Sequence, residues 1–263
     1  MRHPLLRPSL ALATLLALGA CGDEAVDDDA AELDTATTDG EAMAMERAID
    51  PIDFAALDLG ARIEGPQGPE VQASLSNSEG VLGDITSYVA CPGGMDECDP
   101  ATAPENTIYT YVHIVYPGED MDPTTGAGSG PDDADVEAAT AFMMTAPAHG
   151  FMGHAGFSKA EAMSAAGDDV EVVITCDDTG ALSWTVNTGD GGNQWEDGEP
   201  LTFFWQSVLP PSGPAQSYAI RANDVTAAGE GPYPSSDPSA MNVCSAVASP
   251  PEMRTNDQIA MDS

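Results

Sequence analysis

Basic residues are what this chain lacks most. Among its 263 residues, 7 lysines and arginines stand against 44 aspartates and glutamates, and Lys159 is the sole lysine. Such a surface repels nucleic-acid phosphates and anionic membranes, which argues against both as partners of the folded part. With one lysine, no Gly-x-x-x-x-Gly-Lys phosphate loop exists, and nucleotide chemistry drops out. A Cys-x-x-Cys pair is missing too, which removes the usual spacing of a zinc site. The nearest approach to a nucleophile elbow, Gly156-Phe157-Ser158-Lys159-Ala160, has alanine where the second glycine belongs, so Ser158 reads as a helix cap. Long apolar runs are scarce. The longest, residues 9–20, lies between Arg7-Pro8 and Gly22-Asp23-Glu24 and falls short of the ~20 residues a spanning helix needs.

That short run has a specific reading. Arg2 and Arg7 precede it, small residues close it, and it ends in Leu18-Gly19-Ala20-Cys21. This resembles a bacterial lipoprotein signal peptide with its lipobox. The resemblance implies cleavage after residue 20, lipidation of Cys21, and an exported protein held in the cell membrane or outer membrane by that lipid. Gly22, in place of an aspartate after the cysteine, leans toward the outer membrane. Removing residues 1–20 takes two arginines and no acid, leaving five basic residues against 44 carboxylates, a net of −39.

Residues 21–48 are mostly Asp, Glu, Ala and Thr and cannot bury enough surface to fold. They read as a self-repelling acidic tether, with the folded domain at 49–248 and a flexible tail at 249–263. If lipidation accounts for Cys21, four cysteines remain, and three pairings are possible. Spacing favours Cys91 with Cys98, across the tight loop 92–97, and Cys176 with Cys244. An exported protein favours disulfides over free thiols.

The texture after Ile63 is all-β, with short apolar runs punctuated by Gly, Pro, Asn and Asp. Residues 107–116 carry bulky groups at both parities, so this strand should be central and covered on both sides, or should show an aromatic outer face. Residues 170–175 and 181–186, joined by Asp177-Asp178-Thr179-Gly180, read as a hairpin with Leu182, Trp184 and Val186 pointing inward. Residues 201–207 and 217–222 supply two more strands. Helical insertions are expected at three places: after Asp50-Pro51 as far as Gly60, after the cap Ser158 as far as Gly167, and over residues 131–144. The expected architecture is a mainly β sandwich with short helices.

The strings Leu209-Pro210, Tyr218-Ala219-Ile220-Arg221-Ala222-Asn223 and 229–235 resemble the last two strands of the fibronectin type III family, where a tyrosine caps a β-corner. Residues 180–184 are similar to its tryptophan strand. The resemblance implies a sandwich and no particular activity.

For chemistry, residues 143–154 gather thioethers and imidazoles, a ligand set that suits copper. Met152 and His154 share a face by period two; His149 falls on the other, and His113 is a third imidazole if the strands are neighbours. The acidic loops 119–122, 132–135 and 190–197 offer oxygens for calcium, though solvated turns fit them as well. Trp195, in a polar loop, is expected to stack on a ligand or glycan, or to fold back as a lid on the core. No catalytic residue stands out. The sequence points to a non-enzymatic binding or structural lipoprotein with an unnamed protein or glycan partner. The alternatives are a periplasmic copper or calcium binder and an enzyme acting on extracellular polysaccharide.

Overall fold

A computed structural model describes residues 46–65, 68–119, 135–189, 193–235 and 242–244. In chain order the elements are β1 (Arg47–Ile49), β2 (Ile52–Asp53), a 3-10 turn (Phe54–Ala56), β3 (Leu59–Arg62), β4 (Val71–Asn77), β5 (Gly80–Pro92) and β6 (Tyr109–Pro117). There follow β7 (Ala139–Met144), β8 (Phe151–Phe157), helix α1 (Lys159–Ala166), β9 (Glu171–Cys176), β10 (Leu182–Asn187), β11 (Leu201–Ser207), β12 (Pro211–Ala222) and β13 (Val225–Pro234). Among the described residues no helix is long and apolar enough to cross a membrane.

The strands bond in the order β1-β9-β10-β7-β12-β13-β4-β5-β6-β11-β8-β2, with β3 on β5. This sheet folds over on itself into the two layers of an all-β sandwich. Phe142 of β7 stacks on Phe203 of β11 with ring centres 5.0 Å apart. Trp184 Nε1 of β10 donates to the Gly156 carbonyl of β8 at 3.0 Å. One side of the sandwich turns where β13 meets β4, through the pair Ala228 and Ser76. On the other side residues 47–53 strap the two edges: β1 runs antiparallel to β9, and β2 runs parallel to β8. The strap lies close, because Gly156 has no side chain; a Cβ there would stand 1.8 Å from the Ile52 carbonyl oxygen.

Strand β6 is covered on both faces, the first of the two arrangements that its composition allows. Tyr111 and Val115 enter the main core, while Val112 joins Tyr88, Ala90 and Phe204 beneath Ile52, Phe54, Leu57 and Leu59. Burying these side chains is the main drive for the layers to close. The expected hairpin forms as β9 and β10, with Leu182 opposite Cys176 and Asn187 opposite Glu171. Its turn is fixed by Gly180 at φ +88° and by the Asp177 carboxylate, which accepts from the Thr179 hydroxyl at 2.6 Å and the Ala181 N–H at 2.9 Å. Leu182, Trp184 and Val186 are all buried.

Helix α1 begins as expected, with Ser158 Oγ accepting from the Glu161 N–H at 3.4 Å. Glu161 turns elsewhere: its carboxylate accepts from the Thr202 N–H at 2.7 Å and ties the helix to β11. Both expected disulfides form. Cys91 pairs with Cys98 at a Cα separation of 5.7 Å, and Cys176 pairs with Cys244 at 5.9 Å.

Three expectations need correction. Residues 139–144 form strand β7 and not helix, because β10 and β12 flank them and satisfy their backbone groups; residues 131–134 lie outside the described residues. The helix expected after Pro51 is a strap with one 3-10 turn, capped by Asp53 and not Asp50. Its near-helical spacing of apolar groups is used in extended form to cover β5, β6 and β11. The first strand begins at Arg47, two residues inside the segment read as tether. Residues 1–45 and 245–263, which include Cys21 and the tail, lie outside the described residues.

Candidate functional site

Alternation along β8 places Met152 and His154 on its outward face, as the spacing predicts. Met152 is 40% exposed. His154 Nδ1 lies 3.2 Å from Gln206 Oε1, and Gln206 in turn donates to Thr110. His149 packs edge-on against Tyr233, whose hydroxyl donates to the Pro147 carbonyl. Burial pushes the Tyr233 phenol up to about 12. His113 points the other way, into the core. The strands are indeed close, both flanking β11, yet opposite pleat parity separates His113 from His154. The four residues therefore do not form one ligand set. Among the described residues no group of three or more His, Cys, Asp or Glu is placed to hold a metal.

His113 makes a polar pair inside the sandwich. Ser87 Oγ lies 2.9 Å from its Nδ1, its Nε2 has no hydrogen-bond partner among the described residues, and the ring packs 4.1 Å from the Tyr218 ring. Burial lowers its pKa from 6.5 to about 3, so the ring is neutral in the fold. A serine beside a histidine has the composition of a nucleophile pair. Here both residues are 0% exposed, so no substrate reaches them and the pair serves packing. Tyr218 donates to the Pro232 carbonyl at 2.7 Å, clamping its own β12–β13 hairpin from within. That bond runs forward in sequence, unlike the upstream bond of a tyrosine corner. Burial raises its phenol, against a smaller opposing pull from the nearby Trp205 indole N–H.

Trp195 is not a stacking platform. It is 0% exposed, donates from Nε1 to the Glu199 carbonyl at 2.8 Å, and sets its ring against Phe203. It is the lid on the core, the second of its two expected roles. In the Asp177 turn, burial raises the carboxyl, but bonds from Thr179 and from the backbone of Ala181, Thr179 and Gly180 outweigh it and hold the pKa low. Those bonds occupy the carboxylate within its own turn. Residues 120–134 and 190–192, the centres of the loops read as calcium candidates, lie outside the described residues.

Concave surface gathers instead at the strap. A groove of about 380 Å³ is walled by Ile49, Pro51, Phe157, Met163, Val170 and Val172, with Lys159, Asp168 and Glu171 on its lining. On the other side of the strap, a hollow of about 400 Å³ is lined by Arg47, Asp50, His154, Val243 and the Cys176–Cys244 disulfide. Arg47 Nη1 donates there to the Val243 carbonyl at 2.9 Å. A third hollow, of about 550 Å³, is acidic, with Glu64, Asp96, Glu97 and Asp99 beside Arg62. Arg62 is already engaged, bonding Glu70 at 3.1 Å in the one ion pair among the described residues and stacking over Tyr88.

The apolar groove is the surface best suited to bind something, since apolar walls with few polar groups characterise ligand and peptide sites. Sequence reasoning missed it. One signal was available: a proline following a short strand marks a place where pairing must stop. No family model, no curated protein and no solved structure matches the chain.

Proposed function

We propose that this chain is an exported, lipid-anchored bacterial lipoprotein whose sandwich has a non-enzymatic binding or structural role at the cell envelope. One observation carries the reading. Four of the five cysteines pair with each other, leaving Cys21 in the string Leu-Gly-Ala-Cys as the one thiol free for a different fate. Disulfides of this kind accord with an oxidising compartment, as an exported chain requires. The acidic residues between Cys21 and β1 would then hold the sandwich away from the lipid surface by self-repulsion.

A metal-handling role would rest on Met152 and His154 alone, because His113 is in the core and His149 stands against Tyr233. A polysaccharide-cleaving role loses Trp195 as its stacking residue.

The test is metabolic labelling of the producing bacterium with an alkyne fatty acid, followed by mass spectrometry of the N-terminal peptide. The expected product begins at Cys21 and carries a diacylglyceryl mass. Cys21→Ser should lose the label and leave residues 1–20 attached. A soluble product cleaved elsewhere would overturn the reading.

A further inference from the structure

The strap leaves one strand edge open. Strand β9 has β10 along one side and β1 along the other, but β1 spans only Ile174–Cys176, with Arg47 opposite Cys176 and Ile49 opposite Ile174. The Asp177 N–H donates to the Ala181 carbonyl, so odd-numbered residues of β9 turn their backbone groups toward β10. Even-numbered residues, Ile174 and Val172, turn theirs toward β1. Continued in register, the strap would bring Pro51 opposite Val172, and proline has no N–H to give. The chain leaves at that point, and Ile52 pairs with Gly156 on β8. Among the described residues no strand lies opposite Glu171–Val173 on that side. The Val172 backbone therefore faces the apolar groove. Its far wall includes Met163, 47% exposed and one of two large hydrophobic side chains so displayed among the described residues.

We propose that this groove docks an extended segment of a partner protein, apolar at its centre and basic at its flanks, which adds as a strand beside Glu171–Val173. The inference rests on the binding role proposed above and gives that role a partner class. An open strand edge calls for a polypeptide, because only backbone amides can continue the ladder. The walls call for apolar side chains at alternate positions. Charge sets the flanks: Asp168 and Glu171 outnumber Lys159 on the groove lining, and the chain carries a formal charge of −37, so an acidic segment is repelled. A second copy of this chain meets the same repulsion. A lipid acyl chain would fill the walls and leave the backbone unmet.

The test uses the mature lipidated protein in phosphatidylcholine nanodiscs and a fluorescent peptide of alternating valine and threonine with lysines at both ends. Saturable binding is expected. Methylating alternate backbone nitrogens of the peptide should weaken it by about tenfold or more, because the methyl removes the N–H that would be given to the Val172 carbonyl and holds the peptide too far away to accept from the Val172 N–H. Replacing its lysines with glutamates should abolish it. Met163→Glu, at an exposed helix position where folding is checked by its melting temperature, should also weaken it, although this variant is more acidic. Equal binding of the methylated peptide, or equal or tighter binding by Met163→Glu, would overturn the proposal in favour of plain charge attraction. Failure to bind the peptide while a fluorescent fatty acid or a second copy binds in a Met163-dependent way would overturn it as well. Neither result touches the lipid mass at Cys21, so failure here stays separate from failure of the anchor.

Discussion

Replacing His113 with glutamine should flatten the acid side of the stability curve. The ring lies wholly inside the sandwich, bounded by Ser87, Phe142 and Tyr218, and burial holds its pKa near 3 against 6.5 for the free side chain. The folded pKa lies below the unfolded one, so in the window between them the unfolded chain binds the extra proton. Stability from the neutral ring is therefore complete above about pH 6.5 and falls as the pH drops toward about 3. At 1.36 kcal/mol per pKa unit the whole span is about 5 kcal/mol, of which about 2 kcal/mol is lost between pH 7.5 and pH 5. Glutamine keeps a polar atom for Ser87 and does not titrate. Guanidinium unfolding of both proteins at the two pH values, followed by tryptophan fluorescence, isolates the ring. The many carboxylates titrate in both, and any fixed cost of the substitution cancels. The wild-type chain should lose about 2 kcal/mol more than His113→Gln on going to pH 5. Equal losses would refute the reasoning and mean that the ring can be protonated in place.

The two disulfides should differ in worth. Opening Cys176–Cys244, with a sequence separation of 68, by paired serine substitution should cost about 4 kcal/mol. Opening Cys91–Cys98, with a separation of 7, should cost about 2.5 kcal/mol. Denaturant midpoints measured without reductant decide this, and an equal or reversed order would count against the chain-entropy account. Gly156→Ala should detach the strap, since the new Cβ would meet the Ile52 carbonyl oxygen at 1.8 Å and the Phe204 ring at 2.6 Å. Amide exchange at Ile52–Gly156 should speed up while the β9–β10 hairpin stays protected; unchanged exchange at the strap would show that β8 can yield there.

Strands whose own residues favour extended structure were legible, and those decided by neighbours were not. β6, β9, β10 and β11 announce themselves through β-branched and aromatic runs between turn residues. β7 does not, because Ala139, Ala141, Met143 and Met144 are fair helix formers, and only pairing with residues from 182 onward makes them a strand. The strap was misread for a related reason. The surface against which Phe54 and Leu59 pack is built from Tyr88, Val112 and Phe204, which lie far along the chain. Trp195 sits among polar residues, yet its ring fills a place beside Phe203 that no local pattern reveals. His113 was legible in principle: it shares parity with Tyr111 and Val115, and that parity faces the core.

Closing the sandwich and leaving an edge open are alternatives for the same few residues. Had residue 51 an N–H to offer, β1 could run on along Val172 and seal β9. The chain would then overshoot Gly156, and the outer cluster on β5, β6 and β11 would lose Ile52 and Phe54. Pro51 settles the choice by ending one ladder and releasing the chain to begin the other. The same place receives the segment that leads back to Cys21, so tension on a lipid anchor would enter the domain at β1. Three residue pairs with β9 and the bond from Arg47 to Val243 are what resist it there. The Cys176–Cys244 disulfide stands directly behind the first of those pairs, Arg47 with Cys176, and fixes both groups that Arg47 holds. A covalent brace at that position would keep the edge of β9 in place if the strap were pulled through such an anchor, which the Cys91–Cys98 bridge, placed on β5, could not do.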